Sequence, residues 1–120
     1  VATVMTGDKR LTRVSATHAP SHTPMAGYEI HIGQTDGPDR SRPFALVDGQ
    51  PEGAVSGDGR ISGSYLHGMF TGDAFRAAFL KNLGVTATGH YGQSIETTLD
   101  ALADHLEAHI DAAGLLALAR

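Results

Sequence analysis

The sequence predicts an α/β fold, a mixed sheet of several strands, some of them antiparallel, with two helices toward the carboxyl end packed on it. Three observations carry this prediction. Residues 27–33 alternate with period two. Ser56-Gly57-Asp58-Gly59 lies between two extended stretches and is a hairpin signal. Ile95, Leu99, Leu102, Leu106 and Ile110 recur at helical spacing.

The chain has 120 residues, 41% of them apolar and 18% charged, which is a soluble globular composition with room for one domain and a modest core. A net charge of -4 argues against nucleic acid as the main partner. No apolar run is long enough to span a bilayer and no signal-peptide pattern opens the chain, so the expectation is no membrane partner and a cytoplasmic setting. Cysteine is absent, which removes disulfides, cysteine metal clusters and any thiol nucleophile from these residues. The chain opens on Val1 rather than methionine and reads as a processed product or a piece of something longer.

In order, residues 1–5 and 11–18 read as extended, joined by a turn at residues 6–10 that carries Gly7-Asp8. Lys9, Arg10 and Arg13 form a small basic cluster, either a solvated edge or a seat for an anion. Pro20 and Pro24 exclude a helix interior and mark residues 19–26 as a loop, bordered by His18 and His22. In the strand at residues 27–35, Tyr28, Ile30 and Ile32 share the face expected to meet the core. Gly27, Glu29, His31 and Gly33 share the other, setting a carboxylate and an imidazole between two glycines. That face is either a solvated side or a place where a ligand approaches.

Residues 43–47 read as a strand between loops, and residues 52–56 and 59–65 as a hairpin leading into His67. Ile61, Gly63, Tyr65 and His67 fall on one side of that strand, and Gly68 frees the backbone to turn. His67 thus closes a strand. Spacing alone leaves it either a structural histidine bonded to a neighbour or a group at the strand end where open α/β sheets place their chemistry.

Residues 74–83 read as a helix capped by Asp73 or Thr71 and ended by Gly84, with Phe75, Ala78, Phe79 and Leu83 on its apolar face. A longer helix runs from about residue 93 to 113, acidic on its polar side, and residues 112–120 extend it or fray. His105 and His109, four apart on that helix, have a metal-compatible spacing without a third ligand.

Gly27-Tyr28-Glu29-Ile30-His31-Ile32-Gly33 and Gly63-Ser64-Tyr65-Leu66-His67-Gly68-Met69-Phe70 occur in this order ahead of a Phe-containing helix. Together with residues 3–11 and Asp58-Gly59-Arg60, they resemble the cobyric acid synthase family along the whole chain. More narrowly, residues 1–120 resemble the carboxyl-terminal part of its class I glutamine amidotransferase domain, which implies a flavodoxin-like fold. The resemblance implies that His67 is catalytic: it takes the proton of a cysteine thiol on a sharp strand-to-helix turn, and the thiolate attacks the side-chain amide of glutamine. Ammonia leaves, and water releases glutamate. In the family a synthetase domain uses ATP and magnesium to amidate corrinoid carboxylates with that ammonia, on the route to cobalamin.

The cysteine and the ATP-binding domain are absent from these residues, so the resemblance implies an inactive fragment whose partners are the missing amino-terminal part, glutamine and the corrinoid. Met69 stands where class I amidotransferases usually place a triad glutamate, two residues past the histidine, as in the cobyric acid synthase branch. A Cys-His dyad is then expected, with Glu29, His31 and Tyr65 as supporting candidates around His67. No cofactor is assigned to this chain. Cutting an open sheet exposes an apolar edge or face, so the fragment should dimerise, swap elements or bind its missing half. Two rivals stand beside this reading: a non-catalytic interaction module on the same scaffold, and a metal site using His18, His22, His105 or His109.

Overall fold

Period-two segments, tight Asp-Gly turns and one Phe-bearing helix fold into the first of two compact units, Val1–Thr88; the second unit begins at Gly89. The computed structural model describes residues 1–7 and 9–119. Asp8, within the expected turn at residues 6–10, and Arg120, at the end of the tail, lie outside the described residues.

The strands of the first unit are β1 (Ala2–Val4), β2 (Arg10–His18), β3 (Pro24–His31), β4 (Gln34–Asp36), β5 (Ala45–Val47), β6 (Gln50–Glu52), β7 (Ala54–Val55), β8 (Ser62–Gly63) and β9 (Leu66–His67). A five-stranded sheet has the order β6-β5-β2-β3-β9, flanked by the ribbons β1-β4 and β7-β8. Every strand pair among the described residues is antiparallel, where the sequence led us to expect a mixed sheet.

The long β2-β3 hairpin is the spine of the sheet. Its strands run in register from Arg10↔His31 to Thr17↔Pro24. The expected loop is shorter than residues 19–26, because Pro24 takes the first position of a strand, where its missing N–H costs no ladder bond. The expected strand at residues 27–35 breaks at Ile32 and Gly33, and Gln34–Asp36 turns away to pair with β1. β6 was missed in the sequence although its signal is present: Asp48 and Gly49 both have positive φ, 49° and 76°, the pair a two-residue hairpin turn requires. The single strand expected to carry Ile61 to His67 is two short pieces, β8 and β9, interrupted at Ser64 and Tyr65.

The expected faces of β3 are inverted. Met25 and Gly27 are buried and Glu29 and His31 are largely covered, whereas Tyr28 is 47% exposed. Register decides this. Val14, Ala16 and His18 of β2 share a face with Met25 and Gly27, and that face meets Phe44, Leu66 and Phe75 in the core.

The helix α1 (Asp73–Asn82) supplies Phe75, which is fully buried, and Phe79, which packs against the cluster. Its amino-terminal cap is Gly72 with no side-chain bond; Asp73 opens the first turn and pairs with Arg76 at 2.6 Å. Gly84, at φ 78°, ends it as expected: its N–H reaches the Lys81 carbonyl and that of Val85 the Leu80 carbonyl. Leu83, assigned by spacing to the apolar face, is instead the exposed C-cap.

The second unit holds α2 (Tyr91–His109) and α3 (Ala112–Leu118). The one long helix expected here is broken at Ile110, which is extended at φ -134° and ψ 154°, and Asp111 caps α3 by accepting from the Gly114 N–H at 2.9 Å. Among the described residues there are thus three α-helices where two were expected, and neither α2 nor α3 contains a buried residue. No helix among the described residues is long and apolar enough to cross a membrane.

Candidate functional site

His67 ends β9, the edge strand beside β3. Its backbone pairs with Tyr28, while Leu66 pairs with Glu29. Residues opposite one another in an antiparallel pair point to the same face, so buried Leu66 shares the covered face with Glu29, and His67 shares the open face with Tyr28. The imidazole is exposed and has no hydrogen bond or ion pair among the described residues. Gly68 then turns the chain in a left-handed conformation, φ 73°, into a short 3-10 turn, Met69–Thr71. Gly27 seats this turn: a Cβ there would lie 2.6 Å from the His67 carbonyl oxygen.

The supporting residues expected around His67 gather elsewhere, on the covered face. Glu29 Oε1 lies 3.2 Å from His31 Nε2. The Arg10 Nε stands 2.9 Å from Oε2 as a charge partner, outside the directional range of a hydrogen bond. His31 Nδ1 faces the Gly33 carbonyl at 2.9 Å, so both ring nitrogens meet acceptors, and a neutral ring can donate to only one of them. The Tyr65 ring stacks on His31 with centroids 4.6 Å apart. The Tyr65 hydroxyl meets those of Thr35 and Thr3, and these hydrogen bonds, Thr3 first, hold its pKa below the ordinary value. A cavity of about 400 Å³ opens beside Arg10, Glu29, His31, Glu52 and Tyr65. His67 does not line it.

Glu52 was missed in the sequence. It is only 7% exposed, and its carboxylate accepts from the Tyr65 N–H at 2.7 Å and from the Ser64 hydroxyl at 2.8 Å. Nothing in the local pattern marks it, because an acid beside glycine in a loop-rich stretch reads as solvated.

The remaining histidines form no ligand set: among the described residues no three metal-ligating side chains come together. His18 is buried between Phe44 and Phe75, with Nδ1 2.7 Å from the Ser21 hydroxyl, and burial lowers its pKa. His105 and His109 stack on each other at 4.2 Å. Of the basic cluster, Arg10 is spent on Glu29.

The sequence profile of the CobB/CobQ-like glutamine amidotransferase domain matches residues 1–75. Proteins named cobyric acid synthase match over the whole chain: 65% identity over 121 residues in Rhodobacter capsulatus, 67% in Cereibacter sphaeroides and 60% in Bradyrhizobium diazoefficiens. The chain spans about a quarter of the length of these curated relatives, 25% in each case. No solved structure matches it.

Proposed function

The chain belongs to the CobB/CobQ-like glutamine amidotransferase domain family, and from that premise we propose that it is the carboxyl-terminal part of a glutamine-hydrolysing domain to which it contributes the general base, His67. The observation that carries this reading is an exposed imidazole, without a side-chain partner, at the end of an edge strand. A base must be free to meet its nucleophile. With no cysteine in these residues, the thiol comes from sequence outside them and approaches from the open side of β9.

In the proposed reaction His67 takes the thiol proton, and the thiolate attacks the amide carbon of glutamine. The imidazolium returns the proton to departing ammonia, and the neutral ring then activates the water that frees glutamate. The antiparallel strands described above are, in this reading, the flank of a flavodoxin-like sheet. The similarity to cobyric acid synthases supports corrinoid carboxylates as the acceptor of the ammonia, in cobalamin biosynthesis. ATP and magnesium serve that amidation, and no residue of this chain is assigned to either. A cytoplasmic setting follows from the same reading.

The test uses the full-length protein that carries this chain. His67→Ala is expected to abolish amidation with glutamine and to preserve it with ammonium salts, and equal loss with both nitrogen sources refutes the assignment. The purified 120-residue chain is expected to release no glutamate from glutamine.

A further inference from the structure

A buried carboxylate outside any ion pair is costly, and proteins retain one where its hydrogen bonds hold something in place. Glu52 is such a group. Its two carboxylate oxygens accept from the Tyr65 N–H at 2.7 Å and the Ser64 hydroxyl at 2.8 Å, and it has no ion pair among the described residues. The Ser64 Oγ in turn accepts from the Leu66 N–H at 3.0 Å. One side chain on β6 therefore organises the backbone of the residues immediately ahead of His67.

That stretch needs an anchor. β9 is two residues long and pairs with the sheet through Tyr28↔His67 and Glu29↔Leu66, and just ahead of it the Ile30 N–H donates to the Tyr65 carbonyl at 3.2 Å. Among the described residues no strand pairs with its other side, since β9 is last in the sheet order. Two pairs do not fix the direction of a terminal side chain in a strand this short. The Glu52 carboxylate adds a constraint from the opposite end of the sheet, and β6 is itself held by the Phe44 N–H, which donates to the Glu52 carbonyl at 3.0 Å.

We propose that Glu52 is a positioning residue for His67, its buried carboxylate clamping Ser64 and Tyr65 so that the imidazole leaves the end of β9 in one fixed direction. The inference rests on the reading of His67 as the general base, and the experiment separates the two. Glutamine hydrolysis is measured in the full-length protein for His67→Ala, Glu52→Gln and Ser64→Ala, with the thermal midpoint of each.

Glu52→Gln keeps an acceptor for the Tyr65 N–H but presents a donor to Ser64. It is expected to lower kcat about tenfold or more at unchanged KM and unchanged midpoint, because a small misplacement of a reacting group costs up to about 100-fold. Ser64→Ala, the milder change, is expected to move kcat in the same direction by less. A kcat within about twofold of the parent in both variants overturns the positioning role. So does a fall of kcat and midpoint together in both, which makes Glu52 a residue of the fold alone. Activity surviving in His67→Ala overturns the base assignment itself, whatever the Glu52 variants do.

Discussion

The two faces of the β2-β3-β9 sheet carry side chains of opposite fortune. On the covered face Val14, Ala16, His18, Met25 and Leu66 enter the core, and where the core ends Arg10, Glu29 and His31 are tied to one another. On the open face Leu11 is 62% exposed, and Tyr28 and His67 stand bare beside each other. A histidine with both nitrogens engaged is committed to structure, whereas one with neither engaged is free for chemistry. The difference between His31 and His67 is thus one of face, although both occupy β-strands and both lie in the motifs that carry the resemblance.

The comparison breaks most severely at Gly27, the covered-face residue against which the His67 backbone lies. Gly27→Ala places a methyl group 2.6 Å from the His67 carbonyl oxygen, and overpacking of this kind is expected to cost about 1–3 kcal/mol, read from the denaturant midpoint. Next comes acid sensitivity. Burial lowers the His18 pKa in the folded chain from 6.5, so between that lowered value and 6.5 the unfolded chain binds more protons. Stability is therefore complete above about pH 6.5 and falls as the pH drops below it. His18→Phe is expected to flatten that part of the stability-pH profile measured by urea unfolding.

A smaller effect is expected for Glu29→Gln. It removes the charge facing Arg10 and His31, at a cost of about 1 kcal/mol. In the full-length protein it is expected to leave glutamine turnover within about twofold of the parent, since Glu29 and His67 project from opposite faces; a loss comparable to His67→Ala would refute that separation. The smallest change belongs to the open face, where Leu11→Ser is expected to shift the unfolding free energy of the 120-residue chain by no more than about 0.5 kcal/mol. A large destabilisation there would mean that the open face is covered, and analytical ultracentrifugation would identify a second copy as the cover.

Much of this was legible in the chain, because several of its signals are local. Gly84 ends α1 because a left-handed residue there lets two N–H groups reach the last carbonyls. The hairpin around Asp58 folds about Ser56 and Gly59, whose backbone hydrogen bonds close the turn. His67 as a strand-ending group followed by a turn at Gly68 was also readable, since it depends on neighbours in sequence. The break at Ile110 was not, because the apolar spacing runs through it and the Asp111 cap only becomes a cap once the helix has stopped.

Periodicity sorted the residues of β3 into two sets but could not say which set faces inward, since an alternating strand reads the same from either side. Apolar content favoured Tyr28, Ile30 and Ile32, yet the pairing with β2 turned Met25 and Gly27 to the core and carried Glu29 and His31 with them. The sequence by itself determined which residues act as sets, where the turns fall and that His67 closes a strand, all set by backbone geometry over a few positions. Only the tertiary structure decided which face is covered, that Glu29 and His31 lie apart from His67, and that Glu52 reaches Ser64 and Tyr65. Those facts depend on register and on contacts between distant segments, which no local pattern encodes.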